Sequence, residues 1–131
     1  LEEVAADAGL PWPGTVPCEV EASRLAVRRI VSNLIQNAQR YGGGTPVDLT
    51  LECTEQLARV IVRDAGAGIP EDQLERVFRP FYRLEASRSQ ATGGTGLGLA
   101  IVRQLAETNG WKVSLRNRAT GGLEAVLEIR R

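Results

Sequence analysis

Four glycines, Gly93, Gly94, Gly96 and Gly98, crowd into "GGTGLGLAI" (93–101) immediately before an apolar run. Glycine this dense weakens a helix or strand interior by about 0.5–1 kcal/mol per residue relative to alanine, so the backbone itself must serve a purpose there. Glycines that open a helix expose backbone N–H groups at its positive end, where an anion such as a polyphosphate is stabilised. The stretch is not a Walker phosphate loop, since Leu99 and Ala100 follow Gly98 and the only lysine is Lys112. Nor is it the dinucleotide fingerprint, since Gly98 arrives one position early and no strand precedes it. A flexible helix entry without a ligand fits the glycines as well.

A second set lies in "NLIQNAQRY" (33–41). Asn33 and Asn37 stand one helical turn apart, although asparagine is a poor mid-helix residue because its side chain competes with the backbone. An amide oxygen suits Mg²⁺ that already carries phosphates, and Arg40 and Tyr41 add a phosphate-pairing guanidinium and a stacking ring. A pair of exposed or core-bonded amides is the alternative. The third set is "RDAGAGIP" (63–70), in which Asp64 ends a β-rich run and meets a Gly-x-Gly turn. An ordinary hairpin exit accounts for it, as does a rigid carboxylate accepting from an adenine amine, with glycines letting the base lie against backbone.

These residues need elements to hold them. Apolar positions 27, 30, 31, 34, 35, 38 and 41 trace one face of a helix over 23–41, closed by "GGG" at 42–44. Two β-rich runs, 46–54 and 57–64, form an antiparallel hairpin. "EDQLERVF" (71–78) reads as a short helix, 79–92 as a mobile loop ending in the glycine cluster, and 97–108 as a second helix. "WKVSLRNR" and "GLEAVLEIR" make a second hairpin around Thr120, Gly121 and Gly122. Residues 1–8 have the spacing of the tail of a helix begun upstream, and "TVPCEV" reads as a short edge strand. The order gives an α+β fold, a two-layer sandwich of a mostly antiparallel sheet with helices on one face, as one domain over 1–131.

Composition narrows the chemistry. The chain has 131 residues, 43% apolar and 24% charged, enough for a sizeable core, and 16 basic residues balance 16 acidic ones. No net field draws the domain to nucleic acid or to an anionic membrane, and no apolar run approaches the roughly 18 residues of a membrane span. Cys18 and Cys53 read as ordinary core thiols in a reducing cytoplasm. The absence of histidine removes Ser-His and Cys-His nucleophiles and most zinc sites, which leaves carboxylates, amides, arginines and backbone.

Taken in order and at roughly the expected separations, "NLIQNAQRY", "DAGAGIP", "VFRPFYR" and "GGTGLGLAI" resemble the N, G1, F and G2 boxes of the sensor histidine kinase catalytic, ATP-binding domain. That domain belongs to the superfamily shared with DNA gyrase, Hsp90 and the MutL mismatch-repair ATPases, and the resemblance covers about residues 16–131. It implies a Bergerat-type fold that binds ATP and Mg²⁺ and passes the γ-phosphoryl group to a histidine on a separate dimerisation domain. Asn37 would coordinate Mg²⁺, with Asn33 lining the same site, Arg40 would reach the phosphates and Tyr41 would pack on the adenine. Asp64 would accept from the adenine amino group, Gly66 and Gly68 would shape the base pocket, and Gly94, Gly96 and Gly98 would wrap the phosphates. Phe78 and Phe81 would anchor an ATP lid at about 82–94, from which Arg83 or Arg88 could swing onto the γ-phosphate. Ile69, Thr95, Leu97 and Leu99 complete the nucleotide-binding set, and Asn33, Arg40, Arg83 and Arg88 the catalytic set.

Hydrolytic members of the superfamily place a glutamate four residues before the Mg²⁺-binding asparagine; here Asn33 holds that position, and an amide has no useful basicity toward water. With no histidine, the chain can bind ATP but cannot phosphorylate itself on histidine. The implied partners are the dimerisation and phosphotransfer domain of the same kinase and a response regulator, with no nucleic acid and no direct membrane contact. The implied location is the cytoplasmic side of an inner-membrane sensor kinase. The endings "RYGGG" and "GGLEAVLEIR" look most like osmosensor kinases that partner OmpR-type regulators. Three departures stand out: a short, proline-rich segment before Ser23, Asn109-Gly110-Trp111 where many members carry His-Gly-Gly, and Leu123 where ATPases often carry threonine. The second is expected to form a helix C-cap with a packed aromatic. The alternatives are a non-catalytic ATP-sensing or partner-binding module and a serine kinase of the anti-sigma-factor type.

Overall fold

The computed structural model describes residues 5, 6, 9, 22–82 and 98–131. Helix α1 spans Arg24–Tyr41, and the Ser23 hydroxyl caps it by accepting from the Ala26 N–H at 3.2 Å. Its apolar stripe, Ile30, Val31, Leu34, Ile35 and Ala38, is buried, each large aliphatic side chain contributing about 1.5–3 kcal/mol. Arg40 in the last turn complements the negative end of the helix dipole.

Strands β1 (Asp48–Cys53) and β2 (Leu57–Arg63) pair antiparallel, with Asp48 opposite Arg63 and Cys53 opposite Ala58. The Thr54 hydroxyl accepts from the Leu57 N–H at 3.0 Å and sets the turn between them. After helix α2 (Gly98–Thr108), β3 (Lys112–Asn117) and β4 (Leu123–Arg130) form the second hairpin, and β4 inserts beside β2. The four described strands lie in the order β1-β2-β4-β3, all antiparallel. Alternation turns Val60, Val62, Ala125, Leu127 and Ile129 toward the helices, where Val102 and Ala106 of α2 join the stripe of α1 in one core. The α+β sandwich with helices on one face is therefore the observed architecture. Helix α2 ends as the sequence suggests: the Trp111 N–H reaches the Ala106 carbonyl at 2.8 Å, the Gly110 N–H reaches Glu107 at 3.1 Å, and the Trp111 ring packs on the core.

Two readings change. Residues 71–78 form two separate 3₁₀ turns, Glu71–Gln73 and Arg76–Phe78, in place of one short helix. Eight residues hold too few turns to overcome helix nucleation, and burying Val77 against Ile69 and Leu123, and Phe78 beneath Arg103 of α2, sets a tighter path. Cys53, half-buried at the end of β1, is disulfide-bonded and so is not a free core thiol. Cys18 and "TVPCEV" lie outside the described residues, as does most of 1–8, of which Ala5 is helical and fully buried in the main core.

Candidate functional site

Asp64 follows β2 directly and is 2% exposed. Its backbone continues the pairing with β4 by donating to the Leu123 carbonyl at 3.0 Å. Its Oδ1 then accepts from the Leu123 N–H at 3.2 Å and from the Gly66 N–H at 2.9 Å, which fixes the carboxylate plane. Oδ2 has no hydrogen bond among the described residues. An oxygen of a buried carboxylate that is held still, reaches the surface and keeps acceptor capacity is a docking point for an external N–H donor. Leu123 thus serves the site through its backbone N–H and carbonyl, which any residue except proline could supply.

The loop after Asp64 is held from three sides. Thr45, on the turn after α1, accepts from the Ala65 N–H at 3.3 Å and donates to the Gly42 carbonyl at 2.5 Å. Gly66 runs so close to the end of α1 that a Cβ would meet the Tyr41 carbonyl oxygen at 2.5 Å. Gly68 has φ +77° and a Cβ there would meet Asn117 Oδ1 at 2.5 Å, so both glycines of "DAGAGIP" are required by space and one also by backbone conformation. Ile69, 5% exposed, is gripped by the Asn117 amide, which accepts from its N–H at 2.9 Å and donates to its carbonyl at 2.6 Å. Arg118 donates from Nη1 to the Asp64 carbonyl at 2.7 Å.

Helix α1 brings the asparagines to the same region. Asn33 donates from Nδ2 to the Arg29 carbonyl at 2.8 Å, a back-bond that turns Oδ1 toward the start of α2, where a Cβ on Gly98 would stand 3.3 Å from it. The side chain of Asn37, one turn on and half-buried, makes no hydrogen bond among the described residues. Tyr41 is half-buried at the helix end and Arg40 is exposed. The structure therefore gathers Asn33, Gly98, Tyr41, Gly66, Asp64, Gly68 and Ile69 through the junctions between α1, α2 and the loop after β2. Leu99 packs between the main core and a smaller cluster of Ile69, Val77 and Leu123. Arg83, Arg88, Gly94, Thr95, Gly96 and Leu97 lie outside the described residues, as does most of 82–94.

The two phenylalanines behave differently. Phe78 is 3% exposed, whereas Phe81 is 72% exposed with φ +63°, a left-handed conformation uncommon for a bulky residue. Phe78 is thus packed into the fold and Phe81 faces outward, while the 82–94 segment they were expected to anchor lies, beyond Tyr82, outside the described residues. Tyr82 donates its hydroxyl to Gln73 Oε1 at 2.7 Å and ties the two ends of the 3₁₀ region together.

On the opposite face of the sheet, next to Leu123, Glu124 is a buried carboxylate at 6% exposure. Arg63 Nε meets its Oε2 at 2.7 Å and Arg116 Nη2 its Oε1 at 2.8 Å. Burial pushes the Glu124 carboxyl up, but the Arg63 hydrogen bond and the charges of Arg116 and Arg63 outweigh it and hold the carboxyl below its ordinary value. Asn117 and Arg118, which hold the loop after Asp64, and Glu124, which ties β2 to β4 and β3 on the other face, are residues that sequence reading missed. Glu124 and Arg63 show themselves only once the register pairs them across β2 and β4, and an asparagine before a turn reads as turn chemistry.

Comparison with known proteins places these features in a family. Residues 22–131 match the family model described as "Histidine kinase-, DNA gyrase B-, and HSP90-like ATPase". The chain is 40% identical over 129 residues to the sensor histidine kinase GtrS of Pseudomonas aeruginosa, an alignment covering 98% of this chain and 24% of that protein. It is 54% identical over 76 residues to the sensor histidine kinase RppB of Synechocystis, covering 57% of this chain and 17% of RppB. It therefore spans about a quarter or less of the length of these relatives. Among solved structures, the nucleotide-free catalytic domain of the histidine kinase ThkA superposes with a TM-score of 0.71 at 32% identity, over 85% of this chain and 70% of that one. Full-length ShkA in complex with AMPPNP superposes with a TM-score of 0.67 at 30% identity, over 79% of this chain and 21% of ShkA. The chain belongs to the histidine kinase-, DNA gyrase B- and HSP90-like ATPase family, on the branch populated by sensor histidine kinase catalytic domains.

Proposed function

We propose that this chain is the ATP-binding catalytic domain of a two-component sensor histidine kinase, which positions ATP for transfer of its γ-phosphoryl group to a histidine on a separate dimerisation domain. The observation that carries the reading is Asp64: Oδ1 is satisfied by two backbone N–H groups and Oδ2 is left to accept from the adenine amino group. Gly66, Gly68 and Ile69 form the wall of the base pocket, and Tyr41 offers its ring at the end of α1. Gly98, Leu99 and the glycines before them present backbone N–H groups to the phosphates.

Mg²⁺ that arrives on a triphosphate needs only one or two protein oxygens, and the Asn37 amide, unbonded among the described residues, with Asn33 Oδ1 beside it, fits that demand. When bound, the ion neutralises charge that develops on the phosphates. Arg40, with Arg83 and Arg88 of the 82–94 lid, supplies further positive charge to the γ-phosphate. Asn33 supplies no base for water, so transfer waits for the acceptor. ShkA bound to AMPPNP supports nucleotide binding by this fold. The partners on this reading are the phosphotransfer domain of the same kinase and a response regulator of OmpR type, and the domain works on the cytoplasmic side of a membrane-anchored sensor.

The test is to mix this chain with labelled Mg-ATP and a separately prepared two-helix domain that carries the acceptor histidine. Acid-labile, base-stable label on that domain is the expected result. Label on serine would assign the chain to the anti-sigma-factor type of kinase, and nucleotide binding without transfer to any acceptor would make it a sensing module.

A further inference from the structure

Arg103 lies on α2 just over a turn beyond Gly98 and does not point into the nucleotide site described above. Its guanidinium carbon stands 3.9 Å from the centroid of the buried Phe78 ring, and its Nη2 lies 2.9 Å from Glu75 Oε2. The side chain is 31% exposed, so the stacked plane is partly desolvated, which strengthens a cation–π contact relative to one in water. Only a planar guanidinium can lie on a ring and pair a carboxylate edge-on at once. Glu75 and Phe78 both belong to the 3₁₀ region that follows the base-pocket loop, so the contact joins α2 to that region.

The position has a consequence for the phosphate end of the site. Leu99, one turn before Arg103, is wedged between the main core and the cluster of Ile69, Val77 and Leu123. Those apolar contacts are non-directional, whereas the Arg103 stack on Phe78 is directional and adds a fixed orientation to the packing, with the exposed Glu75 carboxylate as a weaker second contact. Through the rigid helix it sets where Gly98 stands relative to Asn33 Oδ1, and so where the N–H groups of the first turn of α2 point.

We infer that Arg103 is a positioning residue for phosphoryl transfer: it registers α2 against the 75–78 turn so that backbone donors at the start of α2 and the asparagines of α1 meet the triphosphate in one geometry. The inference rests on the proposed kinase function. A misplacement of about 1 Å in such a site costs about a hundredfold in rate while leaving distant contacts intact. Adenosine, which reaches only the Asp64 end, is the internal control.

The test compares the wild-type chain with R103Q, R103K and E75Q by adenosine titration, by titration with a Mg-bound non-hydrolysable ATP analogue, and by the rate of transfer to the histidine-bearing domain. For R103Q the expected result is unchanged adenosine affinity with transfer slowed about ten- to hundredfold at saturating ATP. R103K, which keeps the charge and the Glu75 pair without the planar stack, is expected to fall between wild type and R103Q. Wild-type transfer rates in both Arg103 variants would overturn the inference, as would an equal loss of adenosine and ATP affinity, the signature of a merely structural role. If the wild-type chain itself fails to bind ATP, the kinase reading fails first, so the two failures are distinguishable.

Discussion

The side-chain amide of Asn117, the last residue of β3, closes a two-way hydrogen-bonded clasp on the backbone of Ile69, accepting at 2.9 Å and donating at 2.6 Å. A third bond from its Nδ2 reaches Glu71 Oε1 at 3.0 Å. The amide thereby imitates a strand for a loop that has none beside it. Asn117→Ala leaves the buried Ile69 groups unpaired and is expected to destabilise the fold by about 2 kcal/mol and to weaken nucleotide binding. Asn117→Asp, whose second oxygen would face the Ile69 carbonyl and the Glu71 carboxylate, should destabilise at least as much. Thermal melts with nucleotide titration check this.

Gly66→Ala places a methyl group 2.5 Å from the Tyr41 carbonyl, a contact that requires the loop or the end of α1 to move. Overpacking of this kind costs about 1–3 kcal/mol. Because the loop carries the Asp64 Oδ1 bond, nucleotide affinity should drop with stability. A variant that melts and binds like wild type would contradict the packing described.

Glu124 makes stability depend on acid. Its carboxyl is held below the ordinary value in the folded chain, so the stabilisation is fully present above the unfolded value of 4.5 and is lost as pH falls through the folded value. Glu124→Gln should be about 1–3 kcal/mol less stable than wild type near neutral pH, and the gap should close on acidification below about pH 4.5. Denaturant titrations across pH 3–7 read the gap directly.

Asn37→Ala removes an amide that holds no structural hydrogen bond among the described residues. Folding should be nearly unaffected and adenosine should bind as before, whereas the Mg²⁺-dependent part of ATP affinity should disappear. Persistence of Mg²⁺ dependence in paired titrations would move the metal role elsewhere.

Much of this was legible before the structure. Helix α1 appears with its cap at Ser23, because a full apolar stripe and a capping residue act locally. The hairpins appear with ends trimmed by a residue or two, and the glycines of "DAGAGIP" prove to be required by close approach. What was not legible depends on distant partners. Asn117 grips a residue 48 positions away, and Glu124 meets an arginine 61 positions away, so neither pattern exists until the strands are in register. The two 3₁₀ turns of 71–78 were not legible because apolar spacing alone does not separate an α-helix from successive 3₁₀ turns. The left-handed backbone and exposed ring of Phe81, beside the buried Phe78, are likewise set by the path of the chain and not by residue type.

The central claim is that Asp64 and the asparagine pair form one Mg-nucleotide site. Its most direct test is calorimetric titration of this chain with a non-hydrolysable ATP analogue, with and without Mg²⁺, beside Asp64→Asn. The variant can keep Oδ1 on the Leu123 and Gly66 N–H groups and so should remain folded, while its amide nitrogen replaces the free acceptor Oδ2. Loss of one buried charged hydrogen bond predicts affinity lower by about ten- to hundredfold, with wild-type binding strengthened by Mg²⁺. Equal affinity in the two proteins, or none in the wild type, would contradict it.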